Sequence, residues 1–293
     1  MMKRTAGEKA FAVFNTLFLI TLCILFLVPV WHVAMGSISD PLKTASSSGL
    51  ILQPLGTPTL GGYRLIFQNS VILRAYANTL FYVTVATLIG VILTVFAAYV
   101  MSTKGLLFGR AFSLFILFTM IFSGGLVPSL MVITKLGLYN TVWAVILPGA
   151  VTAFNIIILR TWFRQLPQDM LDAARIDGAG DFRILLQIVL PLSKPALAVI
   201  VLFYAVQHWN AWFHASVYLL NRDLYPLQLV LRQIVLEAEE VTVTAGADAA
   251  GVMIYRPLIR YASIMVSVIP MMAIYPFIQK YFVSGILAGS LKE

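Results

Sequence analysis

Acidic residues are missing from every long apolar stretch of this sequence, cysteine occurs once, histidine three times, and charged residues make up only 11% of its 293 positions. Each scarcity excludes something. Soluble domains carry about 25% charged residues, so a chain that is 60% hydrophobic with a mean hydropathy of +0.91 belongs mostly in lipid. The lone Cys23 permits no intrachain disulfide and no cysteine-built metal or iron–sulfur centre, and inside an apolar run it reads as lipid-facing or packed filler. No G-x-x-x-x-G-K-[ST] phosphate loop is present, so any ATP hydrolysis belongs to a partner. No G-x-S-x-G motif occurs, and His32, His208 and His214 are dispersed in apolar surroundings. Neither a catalytic residue nor a metal site is therefore expected, and a membrane-embedded glycan transferase is left without a motif.

The missing acidic residues also bear on energetics. Ion-coupled carriers keep ionisable groups in the membrane, despite an insertion cost of about 2.5–3.5 kcal/mol each, because those groups bind the coupling ion. All Asp and Glu residues here lie in loops or tails, which disfavours an ion-coupled secondary transporter.

What is present is a series of six apolar stretches, at Ala10–Met35, Thr79–Ser102, Ala111–Ile133, Thr141–Leu159, Pro195–Leu219 and Tyr261–Ile278. About 20 helical residues cross a bilayer, so each is expected to span it. The first is longer than a signal-peptide core and is kept as a span. The expected fold is all-α: one polytopic domain over residues 1–293 with six transmembrane helices. Helix-disturbing residues fall inside two spans, at Ser123, Gly124, Gly125 and Pro128 and at Pro270 and Pro276. They imply either kinked packing or backbone lining a wet cavity. The net charge of +8 sits in short clusters between apolar runs, with no continuous basic stripe to meet nucleic acid. With both termini inside, twelve Lys and Arg face the cytoplasm against eight outside, which favours that orientation.

The polar segment from Arg160 to Lys194 is the expected docking place for an energy-supplying partner. Pro167 and Asp169 read as a helix start, and Gly178 and Gly180 as its end. Met170, Leu171 and Ala174 suggest an apolar strip between Asp172 and Arg175. Phe182, Leu185, Leu186 and Val189 suggest a second helix, stopped by Pro191 and Pro195. A DNA-binding helix-turn-helix is excluded by Asp169, Asp172, Asp177 and Asp181 and by the tether between two spans.

The run Asp172-Ala173-Ala174-Arg175-Ile176-Asp177-Gly178, followed after nine residues by Ile188-Val189-Leu190-Pro191, resembles the E-A-A-x3-G-x9-I-x-L-P motif of bacterial ATP-binding-cassette (ABC) importer permeases. Asp172 stands where the family usually has Glu. Phe122-Ser123-Gly124-Gly125-Leu126-Val127-Pro128, Lys135-Leu136-Gly137-Leu138, Trp209-Asn210-Ala211-Trp212-Phe213 and Gln279-Lys280-Tyr281-Phe282 resemble the MalG- and LplC-like carbohydrate permeases, from about Asn78 to the end. That branch includes importers of acidic oligosaccharides such as aldouronate or alginate fragments. The resemblance implies a type I importer permease fold in the bacterial cytoplasmic membrane. It also implies a heterodimer with a second permease, two ATP-binding subunits that hold ATP and Mg²⁺, and an extracytoplasmic solute-binding protein. By the same resemblance Asp172, Ala173, Ala174, Asp177 and Gly178, within a coupling loop at about 164–195, carry ATPase motion to the pore, and this chain holds no cofactor.

For the substrate path, Gln207, His208, Trp209, Asn210, Trp212, Phe213 and His214 gather in the second half of the fifth span. Sugars suit aromatic faces combined with amide or imidazole partners, although an interfacial aromatic belt has the same composition. Trp212, Asn210 and His208 lead the candidates, followed by Trp209, Asn155 and Tyr204. On an undistorted helix Asn210 lies about 200° from His208, so all three leading residues cannot point inward together.

Overall fold

The computed structural model describes residues 6–103, 105–240, 257–274 and 276, and every regular element among them is helical. In chain order these are α1 (Ala6–Ser37), α2 (Pro41–Ser46), α3 (Gly61–Gln68), α4 (Ser70–Ser102), α5 (Gly109–Ile121), α6 (Leu126–Lys135), α7 (Trp143–Ile146) and α8 (Ala153–Arg164). They continue as α9 (Gln168–Ile176), α10 (Asp181–Leu192), α11 (Lys194–Trp209), α12 (Phe213–Tyr218), α13 (Leu227–Glu240) and α14 (Pro257–Ile274). The chain divides into two compact units, residues 1–70 with 231–269 and residues 71–230 with 270–293.

In the first unit α1 is apolar on all sides, and large side chains from Phe11 to Leu27 are exposed. Cys23 is exposed among them. Such a surface is stable only against lipid or another apolar chain. The far end of α1 is tied down by His32, whose Nδ1 accepts from the Ile51 N–H at 2.8 Å while Nε2 meets the Tyr261 hydroxyl of α14 at 3.2 Å. These bonds make His32 a packing residue. The Asp40 carboxylate accepts the Leu42 and Lys43 N–H groups and starts α2.

The second unit is built on α4, whose length of about 50 Å at 1.5 Å per residue exceeds the hydrocarbon thickness. A polar stripe at i, i+4, i+8 on its first turns holds the connection after α12. Arg74 pairs with Asp223, Asn78 donates to the Asp223 and Tyr225 carbonyls, and the Tyr82 hydroxyl donates to the Leu224 carbonyl. Thr79 accepts the Leu227 N–H at 2.7 Å, which seats the start of α13.

Of the six expected spans the described residues show three unbroken helices long and apolar enough to cross a bilayer, or five crossings if each of two bent helix pairs counts as one, and the fourth stretch is not among them. α1, α4 and α14 are long and apolar enough to cross a bilayer unbroken. The third stretch is bent by 112° between α5 and α6. The break falls at Phe122–Gly125, where Gly125 takes φ +85°, a conformation that an L side chain resists. The fourth is split by Pro148 and Gly149 into α7 and α8, and the Thr152 hydroxyl restarts the helix by accepting the Asn155 N–H. The fifth ends at Trp209 and resumes as α12. Facing arithmetic for an undistorted helix over Pro195–Leu219 thus does not apply beyond Trp209. The end of the sixth, after Ile274, lies mostly outside the described residues.

Candidate coupling segment and cavity

Gln168–Ile176 forms the expected short helix, and its end is set by Gly178. The Gly178 N–H donates to the Arg175 carbonyl at 3.0 Å and the Ala179 N–H to the Ala174 carbonyl at 2.9 Å. This is a Schellman closure, which needs a left-handed residue after the helix. Gly178 supplies it with φ +80°. A Cβ there would meet nothing within 4 Å, so the turn requires glycine for its backbone and not for space.

One face of α9 is packed and the other is free. Leu171 is buried in a cluster with Leu159 and Phe163 of α8 and Ile184 and Leu185 of α10, and Ala174 is half-buried against it. The expected strip divides here, because Met170 points outward at 46% exposure and Ile176 is 87% exposed. Asp172, Ala173, Asp177 and Gly178 share the exposed surface. Asp172 pairs with Arg175 at 2.9 Å across one turn, an exposed contact that contributes little to stability. What remains is an apolar and acidic surface that none of the described residues covers.

The second helix of the segment runs through Pro191 to Leu192 instead of stopping at the proline. Proline lacks an N–H, and its ring crowds the carbonyl four residues back. A π turn over Leu185–Val189 opens the ladder at that place, with the Leu190 N–H bonded to the Leu185 carbonyl. α10 then meets α11 at 85°.

The buried cluster continues from Leu171 through Val189, Ala196 and Ile200 to Tyr204, so α9 is in packed continuity with α11. Tyr204 is fully buried. Its hydroxyl bonds Thr94 of α4 at 2.6 Å and accepts the Thr152 N–H at the start of α8 at 3.1 Å. It joins three helices, and Gly90 lets them close, since a Cβ there would lie 2.5 Å from the Ala150 carbonyl. The next turn of α11 carries His208, 5% exposed and stacked on the Tyr204 ring at 6.4 Å.

The structure disperses the residues singled out for the substrate path. Tyr204, His208, Trp209 and Asn155 are buried within this chain, and Trp209 meets the Tyr76 ring edge-on. Asn210 is exposed, but its side-chain amide caps α11 by donating to the Val206 carbonyl at 2.9 Å. Trp212 is half-buried against the cluster around Tyr82 and Ile146. A cavity of about 560 Å³ in the second unit is instead lined by His214 and Tyr218 of α12, Ser129 and Pro128 of α6, Gly124 at the 112° bend, and Pro148. His214 is exposed and lies parallel to Tyr218, with centroids 5.6 Å apart. His214, grouped with the fifth-span polar and aromatic residues but not among the leading candidates, lines this cavity. The usable signal was helix-breaking glycine and proline in two separate stretches, since unwound membrane backbone must line a cavity or be buried in protein. Among the described residues no group of His, Cys, Asp or Glu could hold a metal ion.

Residues 90–229, which hold the candidate coupling segment and the cavity lining named above, match the family of binding-protein-dependent transport system inner membrane components. The similarity to individual relatives extends over the whole length. Protein LplC of Bacillus subtilis (strain 168) is 35% identical over 291 residues, covering 99% of this chain and 98% of that protein. The chain belongs to this permease family. The permease is also 37% identical to the polygalacturonan/rhamnogalacturonan transport system permease protein YtcP of the same organism over 275 residues, covering 94% of this chain and 96% of that one. Among solved structures, a chain of a bacterial ABC transporter involved in the import of the acidic polysaccharide alginate superposes with a TM-score of 0.84 at 30% identity. The superposition covers 96% of the permease and 100% of that chain. The permease is thus a multi-pass membrane subunit of an ABC importer.

Proposed function

We propose that the permease forms, with a second related permease, the pore through which an oligosaccharide enters the cell, driven by two partner subunits that bind ATP and Mg²⁺. An extracytoplasmic solute-binding protein delivers the sugar, both termini face the cytoplasm, and this chain binds no cofactor. The observation that carries the reading is the free, apolar and acidic face of α9, backed by continuous packing from Leu171 to Tyr204 in α11. A rigid helix pinned at Gly178 and packed against the start of a span can pass a push from a docked ATPase into the membrane, because close-packed interiors transmit displacement. Ala173, Asp172, Asp177 and Gly178 offer the contact, and Ala174 with Leu171 passes it on.

Three relatives or neighbours are named for polygalacturonan and rhamnogalacturonan, for alginate and for arabinooligosaccharides, which supports a carbohydrate as the cargo. The aromatic and hydroxyl lining at Tyr218, His214 and Ser129 suits a sugar, with a ring face on the aromatic and hydroxyls on the polar groups.

The coupling reading is tested with Gly178→Trp and Gly178→Ala in the assembled transporter. Gly178→Ala imposes only the left-handed strain, about 1 kcal/mol, and is expected to retain most uptake. Gly178→Trp is expected to leave the complex assembled and to abolish uptake by covering the exposed face of the turn. Normal uptake by an assembled Gly178→Trp transporter sinks the reading.

A further inference from the structure

A cavity of about 430 Å³ in the second unit is lined by the guanidinium-bearing residues Arg110, Arg160 and Arg164, with Ser113 and Met101 among the other lining residues. Among the described residues no carboxylate lines it. Arg160 Nε and Arg164 Nη2 both donate to the Met101 carbonyl at the end of α4, at 3.1 and 3.4 Å. That cap employs one N–H from each side chain, whereas a guanidinium carries five donors in a planar fork. Two like charges therefore converge on one carbonyl, and among the described residues their other donors make no hydrogen bond. Arg110 stands in the first turn of α5, where a cation opposes the helix dipole, and no side chain caps that terminus. Three cations, an uncapped helix start and an open volume together call for a doubly accepting anion of phosphate size.

The surroundings decide the source of that anion. The cavity lies at the end of the membrane helix α4, and beside it Leu107 and Phe108 stand 80% and 78% exposed. Exposed apolar side chains next to arginines match a boundary of acyl chains and headgroups, where basic pockets between membrane helices take anionic lipid. We infer that the pocket formed by Arg110, Arg160 and Arg164 binds the phosphodiester headgroup of an anionic phospholipid, whose acyl chains lie along Leu107 and Phe108. The inference rests on membrane embedding alone. It is independent of the coupling role of α9 and holds for either orientation of the chain.

The test is native mass spectrometry of the assembled transporter in detergent, titrated with phosphatidylglycerol, with phosphatidylcholine of the same acyl chains, or with inorganic phosphate. Phosphatidylglycerol is expected to be retained over phosphatidylcholine. Replacing arginines is expected to weaken its binding about fivefold for each one removed, so about 25-fold in Arg110→Gln with Arg164→Gln. Should that double variant fail to assemble, Arg110→Gln alone carries the test, because Arg110 takes no part in capping α4, and the expected loss is about fivefold. Arg110→Lys should keep most of the binding. Equal retention of phosphatidylglycerol by Arg110→Gln and the parent overturns the inference. So does its displacement by an equal concentration of inorganic phosphate, which assigns the pocket to a soluble anion. Loss of the ATPase subunits from Arg110→Gln with lipid retention unchanged assigns it to an acidic segment of a partner, and likewise overturns it. An uptake defect in Gly178→Trp leaves every arm of this measurement unaffected.

Discussion

Tyr204 shows how one polar side chain can organise a membrane core. Helix association in lipid gains no hydrophobic drive, so close packing and hydrogen bonds between helices carry it. The Tyr204 hydroxyl bonds Thr94 and accepts the Thr152 N–H, and the ring rests where Gly90 leaves room. Tyr204→Phe keeps the ring and removes both bonds, leaving the part-buried Thr152 N–H without its acceptor. The expected loss is about 1–2 kcal/mol, read as a lower midpoint in thermal unfolding of the solubilised complex. An unchanged midpoint would show that water takes over both bonds. The same geometry argues against Tyr204 as a sugar contact, because its polar atom is committed within the chain.

At the scale of elements, the break between α11 and α12 separates two roles that a single fifth helix would have merged. α11 turns its aromatic residues into the second unit's core, with His208 on Tyr204 and Trp209 against Tyr76. α12 instead presents His214 and Tyr218 to the cavity under the bent third stretch. His214→Ala is accordingly expected to change the ratio of uptake rates for two competing oligosaccharides of different length. Trp212→Ala, whose ring packs against the Tyr82 cluster, should reduce assembly and leave that ratio alone. If Trp212→Ala or Asn210→Ala shifts the ratio in assembled complexes and His214→Ala does not, the path runs along the end of α11 instead. The two helices are joined by so few residues that periodicity could not separate them. The separation comes from Asn210, whose side chain closes α11 on the Val206 carbonyl.

For the whole molecule, the proposed N-in, C-in arrangement, which rests on the charge count, puts residue 180 inside and residue 240 outside the cell. With Cys23 replaced by Ala, Gly180→Cys should escape a membrane-impermeant thiol reagent on intact cells and Glu240→Cys should react. The reverse pattern discards the N-in, C-in arrangement. Exposed apolar side chains along α1, α5 and the outward face of α4 fit the same picture. A chain so covered is stable only when lipid and a companion subunit take the place of water.

Much of this was present in the sequence for a physical reason. Membrane insertion is decided by local composition, so the absence of acidic residues from the apolar stretches and the spacing of lysine and arginine report span positions without any knowledge of packing. The short helix of the candidate coupling segment was equally legible, since a helix start at Pro167 and a left-handed stop at Gly178 are local backbone events. The burial of Trp209, Asn155 and Tyr204, and the exposure of His214 at the cavity, were not legible. In a span where nearly every residue is apolar, the hydrophobic pattern carries no facing signal, and which side looks inward depends on partners distant in sequence. Gly90 meeting Ala150, Thr94 meeting Tyr204, and Arg160 with Arg164 converging on Met101 are contacts that only the tertiary structure decided.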